Sequence, residues 1–505
     1  MELTLGRQTI EVEKLIGEGQ MQLQVSAETA TPGAGREAIE VLMEEAEATI
    51  DSAQPQTDRV VVEGTVMCQA VYRPGEGATR AVAVPARFSE VAELTGVGPK
   101  SIVRAQAVVE DVRAGYDNGR IRFVAVVGLR VQALALEPTE LITQIGGVDA
   151  LEAQFEEVCS SKLAAESAAG ALVREEVALP GGLDARVSLM DWAQARLIAA
   201  ERDLGGVRAR GEIQAEALIG TGVPSRPVAL VKVMMPFEQL VEMPEWLTSN
   251  VTADAEVTRL TTEIAPGDEE GEAILKLEAE TQIHVRADAQ DCATALSDAY
   301  ATGPTAVNCA RIPINVAERS EQINASEPFR GTLLLPEGAS AVGTVLATRV
   351  RPVISQWMAQ GGSTVVEGAL DIKALYLPGG SEQVTSVRGE LPFAIKCAGE
   401  WPESAWVRIT ATGADAGALM SDRLEIRCTL SLTGFYRVAR RVVVASGATT
   451  SAAPERAAGM VIYWPNEGET AWSLGKRYRL SQRKLAAMSG GNEALANGQP
   501  IVLRM

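Results

Sequence analysis

The sequence of 505 residues contains one histidine, His284. General acid–base catalysis, catalytic triads and most zinc sites draw on histidine, so this scarcity argues against an enzyme. Basic residues are also few for the size: 46 Lys and Arg stand against 66 Asp and Glu, a formal net charge of −20. A nucleic-acid backbone needs clustered Lys and Arg, so no nucleic-acid partner is expected; the charge favours solubility and basic partner surfaces. No stretch of about 18 apolar residues occurs, and the N-terminus lacks a basic segment followed by an apolar run. The expectation is a cytoplasmic protein with no membrane insertion. The six cysteines form no C-x-x-C pair and no repeating framework. They point to buried thiols in a reducing compartment, with a disulfide or metal pairing as the minor alternative. Aromatics make up only 4%.

What the chain does have is a strand that recurs. In Val60 to Tyr72 the residues Val60, Val62, Gly64, Val66, Cys68, Ala70 and Tyr72 alternate with Glu63, Thr65 and Gln69, the period of a strand with one buried face. Val207 to Ile219 and Thr364 to Tyr376 repeat the pattern around Gly211 and Gly368. Each glycine precedes an inward alanine by six residues and a bulky Tyr, Ile or Tyr by eight. Their inward position assigns these glycines to close packing in three similar cores.

A chain of this length holds roughly three or four domains, which suits three repeats and a tail. Proline turns open the repeats at Pro32-Gly33, Pro180-Gly181 and Pro336-Glu337-Gly338, and Gly- and Pro-rich tips follow each signature strand. The return strands end at Pro85 with Phe88, Pro236-Phe237 and Pro392-Phe393, where a ring entering the core closes one side of a small sandwich. Two further alternating strands complete each unit, for example Leu424, Ile426, Cys428, Leu430 and Leu432 in the third.

Three segments read differently. In 36–50, Ile39, Leu42 and Met43 stand at helix spacing. Leu151, Phe155, Val158 and Leu163 do the same in a connector, read as an amphipathic helix. The small, polar stretch 445–459 reads as a flexible linker. The resulting division is a first β module over 1–137, a helical connector over 138–171, a second module over 172–290, a connector over 291–325, a third module over 326–444, the linker, and a small domain over 460–505. That last domain reads strand, helix, helix, strand, with Ser481 as a helix N-cap and Gly490-Gly491 as a helix end.

Single features that suggest chemistry have simpler accounts. Gly96 to Ser101 lacks the spacing of a phosphate loop and precedes a strand rather than a helix. The acids between Pro266 and Glu272 lie at a hairpin tip without EF-hand spacing. His284 alternates with Ile283 and Val285 and so falls on a polar strand face. No pair of carboxylates stands out for glycosidase chemistry. No catalytic residue, cofactor or metal site is assigned.

Residues 460–505 resemble a LysM domain. GETAWSLGKRYRLSQRKLAAM matches that family's turn into a first helix and its second helix, and NGQPIVL matches its closing strand. The resemblance implies a binding site for N-acetylglucosamine polymers or for a protein partner, formed by Asn466, Glu467, Gly468, Glu469 and Thr470 on one side and Ser489, Gly490, Gly491 and Asn492 on the other. Glu469 stands where the family has Asp, and Ser489 where it has Asn. Tyr463 and Trp464 add half-exposed aromatic anchors of the kind that dominate protein contacts. The three repeats resemble SPOCS domains. The fold class is therefore mainly β, three repeated β-sandwich-like SPOCS modules followed by a small βααβ LysM domain. Several SPOCS domains followed by one LysM is the arrangement of a clostridial family of spore-coat morphogenetic proteins. That resemblance implies a non-enzymatic scaffold at the forespore surface, on the mother-cell side and in the spore coat. Its implied partners are other coat proteins and the coat basement-layer ATPase, docked by the LysM domain. Peptidoglycan of cortex or cell wall is the alternative partner.

Overall fold

The computed structural model describes residues 3–31, 39–75, 78–179, 183–244, 251–267, 272–454, 459–489 and 500–504. Pro32-Gly33, Pro180-Gly181, Trp246, most of the acidic tip after Pro266, and Gly490 to Asn492 lie outside them. The described chain is almost entirely strand.

The first unit contains β1 (Thr4–Ala30), β2 (Ile39–Gln56), β3 (Arg59–Pro74), β4 (Arg80–Glu93), β5 (Ile102–Asp117) and β6 (Arg120–Gly146). The second contains β7 (Leu151–Ala178), β8 (Ala185–Asp203), β9 (Gly206–Thr221), β10 (Val228–Glu242), β11 (Val251–Pro266) and β12 (Ala273–Ala301). The third contains β13 (Thr305–Leu334), β14 (Val342–Gln360), β15 (Ser363–Pro378), β16 (Thr385–Ala398), β17 (Trp406–Met420) and β18 (Arg423–Ala452). Each unit pairs its strands alike. The second, third and fourth strands make one antiparallel sheet with the third in the middle, and the first, sixth and fifth make another with the sixth in the middle. The signature strands are the middle strands β3, β9 and β15. Their inward residues join those of β6, β12 and β18 in three separate cores. Between β5 and β6, Asn118 and Gly119 both have positive φ, 50° and 81°, the backbone of a two-residue hairpin turn whose twist matches the strands.

The phenylalanines do not sit at strand ends. Phe88, Phe237 and Phe393 lie mid-strand, directly opposite Gly64, Gly211 and Gly368. A Cβ at any of the three glycines would lie 2.4–2.6 Å from the ring's Cζ and 2.1–2.5 Å from a backbone oxygen of the neighbouring strand. The ring occupies the space that a side chain would have filled.

The segment 36–50 is strand, not helix. Leu42 is a bulged residue between Val41 and Met43, so the bulge turns Leu42 and Met43 successively inward and imitates helical spacing. Leu189 and Leu346 are bulged at the matching places in β8 and β14. The three leucines meet Met43, Val71, Met190, Trp192, Leu218 and Leu375 in one shared apolar core at the junction of the three units.

The helical connector over 138–171 and the connector over 291–325 are likewise strands. β1 with β6, β7 with β12 and β13 with β18 are long two-stranded ribbons. Each ribbon carries two register shifts, and beyond the inner one the ribbons of all three units pack on one another through Ile10, Val12, Leu141, Val158, Ala293, Val316, Val442 and Val444. Val158 belongs to this core while Phe155 points outward, so their helix-like spacing was coincidence. The expected linker begins inside β18; Ala445 is buried against Ile142 and Leu296. Two cysteines are also paired: Cys159 on β7 and Cys292 on β12 form a disulfide, while Cys68, Cys309, Cys397 and Cys428 are free.

The units contact in a ring, the first against the second, the second against the third, and the third back against the first. The last joint carries an ionic network. Arg349 donates to Glu45 at 2.7 Å, Arg351 pairs with Glu45 at 3.0 Å and Asp371 at 2.9 Å, and Lys373 donates to the Glu44 carbonyl at 2.6 Å. Arg349 also stacks 5.1 Å over the Trp192 ring. Glu45, Trp192 and Arg349 each stand three residues after the bulged leucine of their own unit, so equivalent positions carry an acid, a ring and a base that satisfy one another.

Among the described residues, no helix is long and apolar enough to cross a membrane.

Candidate functional site

The remaining elements are β19 (Met460–Tyr463), α1 (Ala471–Tyr478), α2 (Gln482–Ser489) and β20 (Ile501–Arg504), the expected strand–helix–helix–strand order. Thr470 and Ser473 cap α1 reciprocally: each hydroxyl accepts the other's backbone N–H at 3.2 Å. Arg479 ends the helix at φ 51°. Ser481 begins α2, its hydroxyl accepting from Lys484 N at 3.4 Å. Leu474, Leu480, Leu485, Ile501 and Leu503 form the small core.

Alternation in β19 gives it two unlike faces. Val461 and Tyr463 pack on the core, while Met460, Ile462 and then Trp464 point away at 67%, 54% and 57% exposure. Val502, paired with Ile462 across the sheet, adds a fourth apolar residue to this outer stripe. Apolar side chains standing this close together on a surface mark contact sites more often than scattered ones do. Sequence reasoning found Trp464 and missed the other three, although the alternation Met460, Ile462, Trp464 is visible in the chain.

The expected site residues separate into several groups. Asn466, Glu467 and Gly468 are exposed in the turn after β19. Glu469 is fully engaged within it. Its carboxylate accepts from the Tyr463 hydroxyl at 2.6 Å and from Asn466 N at 3.0 Å, and pairs with Arg477 at 3.0 Å. These donors, the Tyr463 hydroxyl first, hold its carboxyl below the usual range. Tyr463 also accepts from Arg477 at 2.6 Å and packs edge-on against Tyr478. Thr470 serves as the helix cap. Ser489 is the last residue of α2, and the described residues do not include Gly490, Gly491 or Asn492.

The unit does not hang free. On α1, Trp472 and Lys476 fall on one face, and both contact Asp298 of β12: the indole N–H donates to Oδ2 at 3.0 Å and the ammonium to Oδ1. Asp298 is only 4% exposed. Tyr300 packs edge-on against Trp472 with ring centres 5.0 Å apart, donates to the Leu480 carbonyl at 2.8 Å and accepts from Gln482 at 2.7 Å. Burial pushes the Tyr300 hydroxyl up to about 12. Trp472 thus forms the joint to the second unit and is not among the residues of the small core. Nothing in the pattern around Asp298 and Tyr300 could have shown this, because their partners lie more than 170 residues away.

Elsewhere the chemistry is sparse. His284 is half-exposed, 4.0 Å from Glu256. The loop after β4 closes on itself, with Gly96 N donating to Asp58 and Gly98 N to Ser101, and leads into strand β5. A recess lined by Arg202, Asp203, Met243 and Ala287 offers ≈ 50 Å³, room for about one or two water molecules.

Residues 37–116 match the family described as SipL, SPOCS domain. The matched stretch runs from the start of β2 almost to the end of β5, the whole first signature sheet and one strand of its partner sheet. No curated protein and no solved structure matches the chain.

Proposed function

We propose that the chain is a non-catalytic scaffold of spore-coat assembly, built from three SPOCS-type units and a LysM-type C-terminal unit that docks the coat basement-layer ATPase. The observation that carries the sporulation role is the SPOCS match in the first of three units that share one strand order. The docking reading rests on the outer stripe Met460, Ile462, Trp464 and Val502, which gives a protein surface an apolar, aromatic-anchored contact. Other coat proteins engage the sandwiches, and assembly takes place in the cytoplasm at the forespore surface.

Peptidoglycan is the competing partner. A sugar would need the turn 466–470, where Glu469 is already engaged within the unit and leaves Asn466 and Glu467 as the exposed polar side chains. The test uses the full chain in two arms, binding to purified coat ATPase and co-sedimentation with insoluble peptidoglycan. Saturable ATPase binding without co-sedimentation is expected. Co-sedimentation with no ATPase binding overturns the proposal in favour of a glycan-binding protein.

A further inference from the structure

The joint between the C-terminal unit and β12 is built from one helical face. Trp472, Gly475 and Lys476 stand three and four residues apart and so line one side of α1, and Arg479 follows at its C-cap. Each of them contacts something outside the unit's own core. Trp472 and Lys476 bind Asp298, Arg479 donates to the Pro454 carbonyl at 3.0 Å, and a Cβ at Gly475 would lie 2.4 Å from the Tyr300 hydroxyl. A glycine inside a helix is less favourable than alanine, and here it permits the close approach of helix and tyrosine. The other face, with Ala471, Leu474 and Tyr478, serves the unit's core. The helix is therefore two-sided; its second side meets β12 of the second unit, while Arg479 reaches Pro454 just beyond β18.

The apolar stripe lies on the far side of the β19–β20 sheet from the helices, as the alternation of Val461 and Tyr463 with Met460, Ile462 and Trp464 requires. Joint and stripe use different residues. We propose that Asp298 and Tyr300 are positioning residues that hold the C-terminal unit in one orientation on the ribbons, so that a protein partner seated on the stripe is presented at a fixed place. This rests on the docking role proposed above for the stripe, but the joint itself can be tested without any partner.

Spin labels attached by non-cysteine chemistry at the exposed positions Asn308 and Lys484 of the full chain report the separation of ribbon and unit. One narrow distance distribution is expected in the wild type. Asp298→Asn with Tyr300→Phe, and separately Gly475→Ala, are expected to broaden it. Gly475→Ala keeps or raises helix propensity, but its Cβ would also lie 2.9 Å from Leu485 Cδ1 inside the unit. Circular dichroism and agreement with the Asp298→Asn, Tyr300→Phe variant therefore separate a broken joint from a disturbed unit. Affinity for the coat ATPase should stay within about twofold in both variants. A broad distribution in the wild type, or an unchanged narrow one in both variants, overturns the proposal. A tenfold loss of affinity on breaking the joint overturns the separation of joint from stripe. If the wild type fails to bind the ATPase while the distances behave as expected, the docking role fails and the joint stands.

Discussion

Gly211 of β9 lies directly opposite Phe237 of β10, and the ring fills the space above the glycine. A Cβ at position 211 would meet Phe237 Cζ and the Arg196 carbonyl oxygen, each at 2.5 Å. Both hold their ground: the ring is packed in the core and the carbonyl belongs to a hydrogen-bonded strand.

Gly211→Ala should therefore destabilise the protein by about 3 kcal/mol, the upper end of what overpacking costs. Phe237→Ala should cost about 3–5 kcal/mol through the cavity it leaves. Because the two side chains compete for one space, the double variant should lose less than the two losses added. Chemical denaturation of the three proteins measures this. Strict additivity would contradict a shared space.

The joint between the third and first units should weaken in acid. Burial pushes the Glu45 carboxyl up, but Arg351 and Arg349 pull harder and set it at about 2, below its ordinary 4.5. A lowered folded value means that the stabilisation is complete above pH 4.5 and drains away as the pH falls toward 2. Glu44, raised by burial, runs the other way, so the readout is the difference between wild type and Glu45→Gln. At pH 7 the variant should be less stable by about 3 kcal/mol, since the buried Arg349 loses its close counter-charge and Arg351 keeps only Asp371. That gap should narrow between pH 4.5 and 2, as pH-dependent denaturation curves will show. A constant gap would contradict the assignment.

Cys159 and Cys292 staple β7 to β12 beside the shared ribbon core. Unfolding the purified, air-oxidised protein without reductant should expose four reactive thiols, and six after reduction. Reduction, or Cys292→Ser, should cost about 2–5 kcal/mol. Six thiols in the oxidised sample would contradict the bridge.

The fold was legible wherever one sheet face is buried and the other wet. The period-two alternation in β3, β9 and β15 placed Gly64, Gly211 and Gly368 inward, and the same reasoning found the strand–helix–helix–strand tail. It failed where a strand is buried on both faces. The outward residues Val71, Leu218 and Leu375 enter the shared core, and the unbroken runs Ala70-Val71-Tyr72, Ala217-Leu218-Ile219 and Ala374-Leu375-Tyr376 are the signal that could have revealed it. Bulges misled in the same region, since Leu42 breaks the alternation and mimics a helix. The small residues of 445–459 suggested a linker because composition cannot tell a mobile chain from a ribbon whose alanines pack closely, as Ala445 does. At the candidate site the exposure of Trp464 was legible. The joint through Asp298 and Tyr300 was not, because it depends on contacts distant in sequence.

Docking of the coat ATPase through the outer stripe, as proposed, is tested most directly by the affinity of the full chain for that ATPase with and without Trp464→Ala. Losing a buried aromatic anchor costs about 2 kcal/mol or more, so binding should weaken at least ~30-fold. Circular dichroism of the variant should match the wild type, because Trp464 lies outside the unit's core. Equal affinity of the folded variant and the wild type would contradict the account.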